Sequence, residues 1–347
     1  MRPVSASIMA PAPRARARMA YRAVTALAAL SLTTLVASCN LPSGSAAGGV
    51  PADTTVTVAV VPGIDNATLA LAQHDGLFAR AGIKVKIADY SSVGQELSAL
   101  RTNAVNIAGG DYADFFFAQA TSPSPIYGIV ADGYDAAPGV LELMTLPTSR
   151  IKSPTQLAGQ VIGVPDSGRV RAPRDAPDSL PVAAATSVLQ SFGVNLSAVR
   201  WDHMAPLAEI RALQQGDVHA VLLAEPYIYL AQRELGAVQL IDACSGATAG
   251  LPLSGYFSTS SWSRNNAAVI AAFRSALEQA AEEASMPGPV QAVLPRYAGL
   301  TRQEAALVTV GTYPVSTIAA SLQRTADLLN AEGMIRFRLN VAAMIVR

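Results

Sequence analysis

The sequence is poor in cysteine and histidine, the residues on which disulfide frameworks and most zinc sites depend. It has two cysteines, Cys39 and Cys244, and three histidines in 347 residues. Two cysteines allow one disulfide at most, and the histidines His74, His203 and His219 do not have the spacing of metal ligands. We therefore expect no bound metal, and we interpret the histidines as structural or solvated side chains.

The sequence also lacks the short motifs that mark many enzymes. It contains no G-x-G-x-x-G after a predicted strand, no P-loop, no H-E-x-x-H, no C-x-x-C and no G-x-S-x-G. These absences exclude the usual motif-based routes to dinucleotide binding, phosphate transfer, zinc proteolysis and serine hydrolysis. We expect no catalytic residue and no cofactor.

Long apolar runs and surplus basic charge are scarce as well. No apolar run after residue 40 reaches the roughly 18 residues that span a bilayer, so the body of the protein is predicted to be soluble. Five of the 25 basic residues lie in an opening segment without acids, and 20 basic against 25 acidic residues give the remainder a net charge of −5. A mildly acidic body argues against a nucleic-acid partner, which needs clustered positive charge.

Residues 1–38 have the layout of an export signal. Their start is basic and irregular, Ala23–Leu35 form a short apolar run, and small residues follow. Directly before Cys39 stands V-A-S, so the region resembles a bacterial lipobox, and the resemblance implies cleavage before Cys39 and a lipid on its sulfur. We predict a lipoprotein signal peptide followed by a flexible tether over 39–53. A disulfide between Cys39 and Cys244 is the alternative.

After the tether, the pattern changes to alternating strands and helices. Thr55–Val61 and Ile83–Ile87 alternate as strands, and the helix between them ends at Gly82. Asp65 or Asn66 is predicted to cap this helix. A second helix and a third strand, AVNIAGG, follow. Three strands with two intervening helices predict a parallel sheet.

The same alternation recurs from Ile151 and predicts a second α/β domain of about a hundred residues, an ordinary domain size. Its strands are predicted in QVIGV, around Ala198–His203, in DVHAVLLAEP and in AVQLID. After Leu251, the strand GYFSTSS is followed mostly by helical sequence, so we expect this part to return to the first domain. We predict a first lobe of 54–146 plus 251–347 and a second lobe of 147–250.

Polar residues cluster directly after the predicted strands. They occur in PGIDN, YSSVG and GGDY in the first lobe and in PDSG and AEPY in the second. In parallel sheets, ligands bind beyond the carboxyl ends of the strands, where loops lead into helix N-termini. Two lobes that face each other across such edges predict a ligand cleft that closes about a hinge.

Five stretches from Val56 onward carry a family resemblance. They are VAVVPGIDNATLALAQHDGLFARAGIKVKI, YSSVGQELSALRTNAVNIAGGDYADF, SPTQLAGQVIGV, LQQGDVHAVLLAEPY and LQRTADLLNAEGMI. Together they resemble the periplasmic solute-binding proteins of ABC importers, in the branch that contains sulfonate, taurine, nitrate and thiamine-pyrimidine binders. The resemblance implies the type II periplasmic-binding-protein fold, with two parallel-sheet α/β lobes joined by two crossings. It also implies a monomeric, lipid-anchored extracytoplasmic receptor that delivers a small polar solute to a permease and its ATPase.

The resemblance further implies ligand-facing residues in the five loops that follow strands. Capping and turn chemistry explain several of these residue types about as well as ligand contact does. The implied residues are Asp65, Asn66, Ser91, Ser92, Gly94, Gly110, Asp111, Tyr112, Asp166, Ser167, Gly168, Glu225, Pro226 and Tyr227.

The charge of the solute stays open at the level of sequence. The loop Pro165–Pro181 departs from the family because it carries three arginines, and an arginine in the cleft would favour a sulfonate or carboxylate. Arginines in loops are more often solvated. The acids at the motif positions favour a neutral or cationic nitrogenous solute such as a pyrimidine, with tyrosines stacking on its ring. The arginines are Arg169, Arg171 and Arg174, and the acids are Asp65, Asp111 and Glu225.

Two alternatives to a transport receptor follow from the same resemblance. One is a receptor that presents its closed state to a sensor, and the other is an enzyme similar to the fungal thiamine-pyrimidine synthase. The enzyme would need a lysine for a Schiff base, but Lys84 and Lys86 are predicted on an outward strand face and Lys152 before a helix cap. The cysteine-rich metal motif of that enzyme is absent. We therefore predict a binding protein.

Overall fold

The structure is a computed structural model that describes residues 50–51, 53–121, 126–166 and 178–347. The predicted signal peptide and Cys39 lie outside the described residues. The same holds for Ser167 and Gly168 and for the three arginines of the loop Pro165–Pro181, namely Arg169, Arg171 and Arg174.

Ten strands form in the described part of the chain. They are β1 (Thr55–Val60), β2 (Lys84–Asp89), β3 (Ile107–Asp111), β4 (Tyr127–Asp135), β5 (Leu141–Thr145), β6 (Val161–Pro165), β7 (Arg200–Met204), β8 (Ala220–Ala224), β9 (Val238–Asp242) and β10 (Pro252–Thr259).

Twelve α-helices accompany these strands in the described part. They are α1 (Ala67–His74), α2 (Leu77–Arg80), α3 (Val93–Arg101), α4 (Tyr112–Ala120), α5 (Leu180–Ser191), α6 (Pro206–Gln215), α7 (Tyr227–Leu235), α8 (Ser260–Asn265), α9 (Ala267–Ala284), α10 (Pro287–Tyr297), α11 (Arg302–Leu307) and α12 (Ala319–Ala331).

The strands build two sheets of five with matching topology, and the predicted pair of α/β lobes is confirmed. The strand order is β2-β1-β3-β10-β4 in the first sheet and β7-β6-β8-β5-β9 in the second. Strands β1 and β6 pair in parallel with both neighbours. Strands β10 and β5 pair antiparallel with both of theirs. The predicted parallel sheets are therefore mixed, because in each sheet the fourth strand arrives from the other lobe and runs against its neighbours.

The chain crosses between the lobes through 136–140 and 243–251. Strand β5 lies in the second sheet, although the predicted first lobe, 54–146, included it. All five residues of β5 are buried, so no alternation of apolar and polar residues distinguishes one sheet from the other. Its pairing with β8 and β9 is a long-range choice that only the folded chain makes.

The chain after β10 packs on the first lobe. Helix α9 lies against α1 and α2, and α12 contacts α4 and β10. Near the C-terminus, Ile345 forms a parallel bridge with Ile129 of β4. Within the described residues, no helix has the length and apolar character needed to cross a bilayer.

The helix predicted to end at Gly82 is two short helices, α1 and α2, which separate at Gly76. Gly76 has a φ of +69°, in the left-handed region that favours glycine, and the chain changes direction there. Asn66 is the N-cap residue of α1, but its side chain makes no capping hydrogen bond. Its Nδ2 donates instead to the carbonyl oxygen of Val61 at 3.4 Å.

Candidate functional site

A cavity of about 350 Å³ lies where the strand ends of the two lobes meet. One wall comes from the loop after β1 and from the end of β3, and the opposite wall comes from the end of β8 and the start of α5. These are the carboxyl ends of parallel strands, where α/β sheets place ligands. Both lobes therefore contribute to one cavity.

Five of the residues expected to face a ligand line this cavity. Asp65 and Asp111 belong to the first lobe, and Glu225, Pro226 and Tyr227 belong to the second. The two first-lobe acids and the three second-lobe residues are separated by more than a hundred positions in the sequence, and the fold brings the two groups to one place. This group is the centre of the candidate site.

A second cavity of about 640 Å³ adjoins the first and shares Asp111 and Pro181 with it. Three more of the expected residues, Ser91, Ser92 and Gly94, line it at the start of α3, and Asp166 faces them from the second lobe. The Ser92 Oγ accepts a hydrogen bond from the Gln95 amide at 3.4 Å and so caps the helix. The expected residues are thus divided between two neighbouring spaces.

Tyr112 does not face either cavity, so its expected place in the cleft is corrected. Its side chain is fully buried, and its hydroxyl donates to Asp132 Oδ1 at 2.8 Å. Its ring packs against Phe116 and Phe257. The reason is that Tyr112 opens α4, whose first turn packs on β10.

Asn66 and Gly110 lie behind the cavity wall. Asn66 is 3% exposed and holds the loop after β1 through its bond to the Val61 carbonyl oxygen. Gly110 is buried in β3, where a Cβ atom would lie 3.0 Å from Glu96 Oε2. Both residues therefore help to shape the cavity wall, but they do not line the cavity.

Asp65 presents a carboxylate to the cavity from the loop after β1. Its Oδ1 lies so close to Gly63 that a Cβ atom there would be 2.5 Å away, so this glycine gives the carboxylate room. Burial raises the pKa of Asp65 to about 6, while a hydrogen bond from the Ser254 hydroxyl opposes the rise. Asp65 is therefore mostly ionised at pH 7 and loses its charge in mildly acidic solution.

The other two acids of the cavity cap helices. An Asp111 side-chain oxygen accepts from the Ala113 amide at 2.6 Å, at the start of α4. Glu225 Oε2 accepts from the Tyr229 amide at 3.1 Å, at the start of α7. Negative charge at a helix N-terminus is favourable because the free amides and the helix dipole attract it. In this cavity, the side-chain carboxylates of Asp111 and Glu225 themselves accept hydrogen bonds from these helix amides.

Glu225 also joins the two lobes. Its Oε1 accepts from the Thr309 amide at 3.0 Å, in the segment that follows α11. Burial raises the pKa of Glu225, and its hydrogen bonds with Thr309 and Tyr229 oppose the rise. Beside it, Arg233 of α7 pairs with Glu304 of α11 at 3.3 Å between Nη1 and Oε1. Helices α7 and α11 therefore form a contact between the lobes at one side of the cavity.

Tyr134 and Ser254 line the cavity but were not among the predicted residues. The Tyr134 hydroxyl accepts a hydrogen bond from the Gly311 amide, and its ring lies 5.2 Å from that of Tyr313, centroid to centroid. Burial raises the pKa of Tyr134, and the carboxylates of Asp65 and Glu225 add to the rise. Tyr134 was missed because a tyrosine within an apolar strand has the pattern of a core residue.

Glu96 is a buried acid next to the cavity wall. Its side chain is fully buried, and its carboxyl oxygens have no hydrogen-bond partner among the described residues. Burial raises its pKa to about 8, and the Asp65 carboxylate adds to the rise. Glu96 is therefore mainly protonated at neutral pH and contributes little charge to the site.

The described residues contain no cluster of three or more side chains suited to a metal ion. The Cys244 thiol is 1% exposed, and burial raises its pKa to about 12, so it is not an activated nucleophile. The arrangement is suited to holding a small molecule by hydrogen bonds, charge and ring contacts.

The NMT1/THI5-like family matches this sequence over residues 64–292, which include both walls of the cavity. The match therefore covers most of the described chain. The sequence matches no curated protein.

Several solved structures share the fold. The periplasmic aliphatic sulphonate binding protein SsuA from Escherichia coli is similar at a TM-score of 0.68, with 20% identity over 85% of this chain and 93% of that chain. The alkanesulfonate-binding protein SsuA from Xanthomonas axonopodis pv. citri, bound to MOPS, has a TM-score of 0.63 and 18% identity, and covers 86% and 99%. The desulfurization enzyme DSZB has a TM-score of 0.63 and 15% identity, and covers 84% and 96%. These likenesses confirm the expected periplasmic-binding-protein fold.

Proposed function

The chain belongs to the NMT1/THI5-like family, and from this membership we propose that it is the solute-binding component of an ABC importer. In this role the two lobes capture a small polar organic solute and deliver it to a permease and its ATPase. The candidate solutes are a nitrogenous heterocycle, such as a pyrimidine, or a sulfonate. Sulfonate-binding proteins of the same fold support the role.

The cavity between the strand ends is the observation that carries this proposal. Residues of both lobes line it, and the chain passes between the lobes only through 136–140 and 243–251 within the described residues. A solute that contacts both walls binds more tightly when the lobes are close together, so it shifts the population toward the closed form. No bond needs to be made or broken.

We assign the solute contacts to the groups that line the two cavities. The first cavity provides Asp65, Asp111, Glu225 and Tyr227, together with Tyr134 and Ser254. The second provides Ser91, Ser92 and Gly94. Ser167, which lies outside the described residues, is retained as a contact because it follows a strand end in the sequence.

The proposal also gives the protein an extracytoplasmic location and a lipid anchor at Cys39. The basic start, the apolar run and the V-A-S before the cysteine support it. The tether of 39–53 would let a monomeric receptor reach its permease.

A thermal-shift screen tests the binding role directly. Purified protein is heated with sulfonates, nitrate, pyrimidines, amines and purines. A solute at about 100 times its Kd stabilises the native state by about 2.7 kcal/mol, which raises the melting temperature by several degrees. Small-angle scattering should show a smaller radius of gyration with the same solute. A melting temperature that no solute changes would contradict the proposal.

An enzyme is the second candidate, because the desulfurization enzyme DSZB shares the fold. The lysines give the enzyme role little support. Lys84 Nζ pairs with Asp53 Oδ1 at 2.6 Å, Lys152 Nζ donates to the Pro147 carbonyl oxygen at 2.7 Å, and both contacts lie on the surface. Mass spectrometry of a bound solute after incubation separates the two roles, since a receptor returns it unchanged. A sensor role would differ only in the partner that co-purifies with the protein.

A further inference from the structure

We infer that the cavity of about 350 Å³ selects a positively charged organic solute, such as a primary ammonium or an amidinium, over an anion of the same size. The inference rests on the proposed function, because it names the chemical class of the solute for the same site. It sets this chain apart from the sulfonate-binding proteins that share its fold.

The charges on the cavity walls favour a cation. The Asp65 and Glu225 carboxylates line the cavity, and none of its described lining residues is a lysine, an arginine or a histidine, while Arg101 lines the adjoining cavity. Asp65 stands on the wall of the first lobe and Glu225 on that of the second. A cation placed there is attracted from both lobes, whereas an anion is repelled from both.

The helix N-termini around the cavity offer few donors to an anion. Anion sites in α/β proteins commonly use free amides at these positions. The starts of α4 and α7 already donate to Asp111 and Glu225, as described above. The start of α5 carries Pro181, which has no N–H to donate. Helices α4 and α7 thus have this route to anion binding reduced, and α5 lacks one of its donors.

The rest of the lining suits the organic part of such a solute. Tyr134 and Tyr227 provide aromatic faces, and Ile64, Leu141 and Leu253 provide aliphatic ones. Aromatic faces attract cations, and more strongly where water is excluded. The volume falls in the range of small-molecule sites, so the solute should be a compact amine with an apolar body.

Cation binding should also depend on pH through Asp65. Burial places the pKa of Asp65 near 6, and a cation favours its ionised form, so affinity should rise as pH increases from 5 to 8. Among the described residues, five titratable groups interact electrostatically with Asp65, and none of them is basic. They are Glu96 on α3, Tyr134 on β4, Tyr256 on β10, Tyr297 on α10 and Tyr313 in the C-terminal segment.

The test uses triplets of probes that differ only in the charged group. Ammonium, alcohol and sulfonate derivatives of benzyl, cyclohexylmethyl and ethyl groups are compared by thermal shift and by calorimetry at pH 8. In at least one triplet, the ammonium should bind at least tenfold more tightly than the alcohol and the sulfonate. Asp65→Asn should weaken ammonium binding at least tenfold. The control Asp217→Asn, an exposed carboxylate that does not line the cavity, should change it less than twofold.

The outcomes separate this inference from the proposed function. Stronger stabilisation by the sulfonates would overturn the cation preference, would support a solute receptor, and would match an arginine contact from the loop Pro165–Pro181. Ammonium binding that survives Asp65→Asn unchanged would also overturn it. If neither the triplets nor the broader screen raises the melting temperature, both the inference and the receptor role fail.

Discussion

Two buried glutamates, Glu96 and Glu209, occupy the same place in the two lobes. Each is the fourth residue of its helix, α3 or α6, and each is fully buried. The carboxyl oxygens of both have no hydrogen-bond partner among the described residues. Each lies against a glycine of the sheet, Gly110 for Glu96 and Gly163 for Glu209. At the scale of single residues, these acids are costly to ionise, because burial disfavours the charged form.

Glu209 makes a clear prediction about stability and pH. Burial raises its pKa from 4.5 to about 9, so between these values the unfolded chain releases a proton that the folded chain keeps. Folding stability therefore falls as pH rises through this window. We expect Glu209→Gln to be more stable than the parent protein at pH 8, by about 1–3 kcal/mol, with a smaller difference at pH 5.

Urea unfolding at the two pH values measures this difference. Glu282→Gln, at an exposed glutamate of α9, is the matched control and should leave the pH dependence unchanged. A gain in Glu209→Gln that is equal at pH 5 and pH 8 would show that ionisation is not its cause.

At the scale of elements, the helix that carries each glutamate leads into its next strand through the same turn. Asn103 follows α3 with a φ of 57°, and Gly216 follows α6 with a φ of 81°. The left-handed conformation lets the chain reverse after the helix, and glycine and asparagine adopt it most readily. Corresponding helices of the two lobes are thus followed by different residues, asparagine and glycine, which both adopt the left-handed conformation readily.

The starts of the strands that follow these helices, β3 and β8, are held to the neighbouring strands by corresponding hydrogen bonds. Asn106 Oδ1 accepts from the Thr57 amide at 2.8 Å in the first lobe. In the second lobe, the Val161 amide lies 3.3 Å from His219 Nδ1, which accepts when the ring proton is on Nε2. His219 therefore has a structural role directly before β8 that corresponds to the role of Asn106 directly before β3.

Helix α7 carries the second prediction, because Glu225 both caps it and connects it to Thr309. We expect Glu225→Ala to lower the free energy of unfolding by about 1–2 kcal/mol, the usual effect of losing a cap and a charged hydrogen bond. Small-angle scattering without solute should also show a more open protein. Arg233→Gln, which removes the exposed ion pair of the same helix, is the control and should have little effect on stability. Equal losses in the two variants would contradict a special role for Glu225.

At the scale of the whole molecule, helices of both lobes hold the second crossing between the lobes. The Arg324 guanidinium of α12 donates to the carbonyl oxygens of Ala247, Ala249 and Gly250 at 3.0, 2.8 and 3.3 Å. Helix α12 packs on the first lobe, and α5 of the second lobe packs against Gly246–Thr248 in the same crossing. Contacts from both lobes therefore brace this crossing.

The proposed anchor makes a prediction about the location of the molecule. Cys39→Ala should abolish incorporation of a labelled fatty acid, because the sulfur that would carry the lipid is gone. Cys244→Ala is the control and should keep the label, since Cys244 is buried in the second crossing between the lobes. Fatty-acid labelling of whole cells followed by gel analysis measures both. Label that persists in Cys39→Ala would contradict the anchor, and a disulfide between the cysteines would appear as a mobility change under non-reducing conditions.

Much of the architecture follows from local patterns in the sequence. Alternating residues, capping serines and glycines after helices act over a few positions, so they indicate strands, helices and the polar loops after strand ends. Asp65, Glu225 and Tyr227 lie in these loops, the family resemblance implied them as ligand contacts, and the structure brings them to one cavity.

Contacts between distant residues decided the rest. Strand β5 is buried at every position, so only its partners could place it in the second sheet. Tyr112, which was expected to face the ligand, lies in the core, and Tyr134 of β4 lines the cavity. Local sequence could not show this, because burial depends on what packs against a side chain. The bond from the Thr309 amide to Glu225 spans 84 positions in the chain. Periodicity and capping describe neighbours in the sequence, whereas pairing, burial and charge in a cavity arise only when remote segments meet.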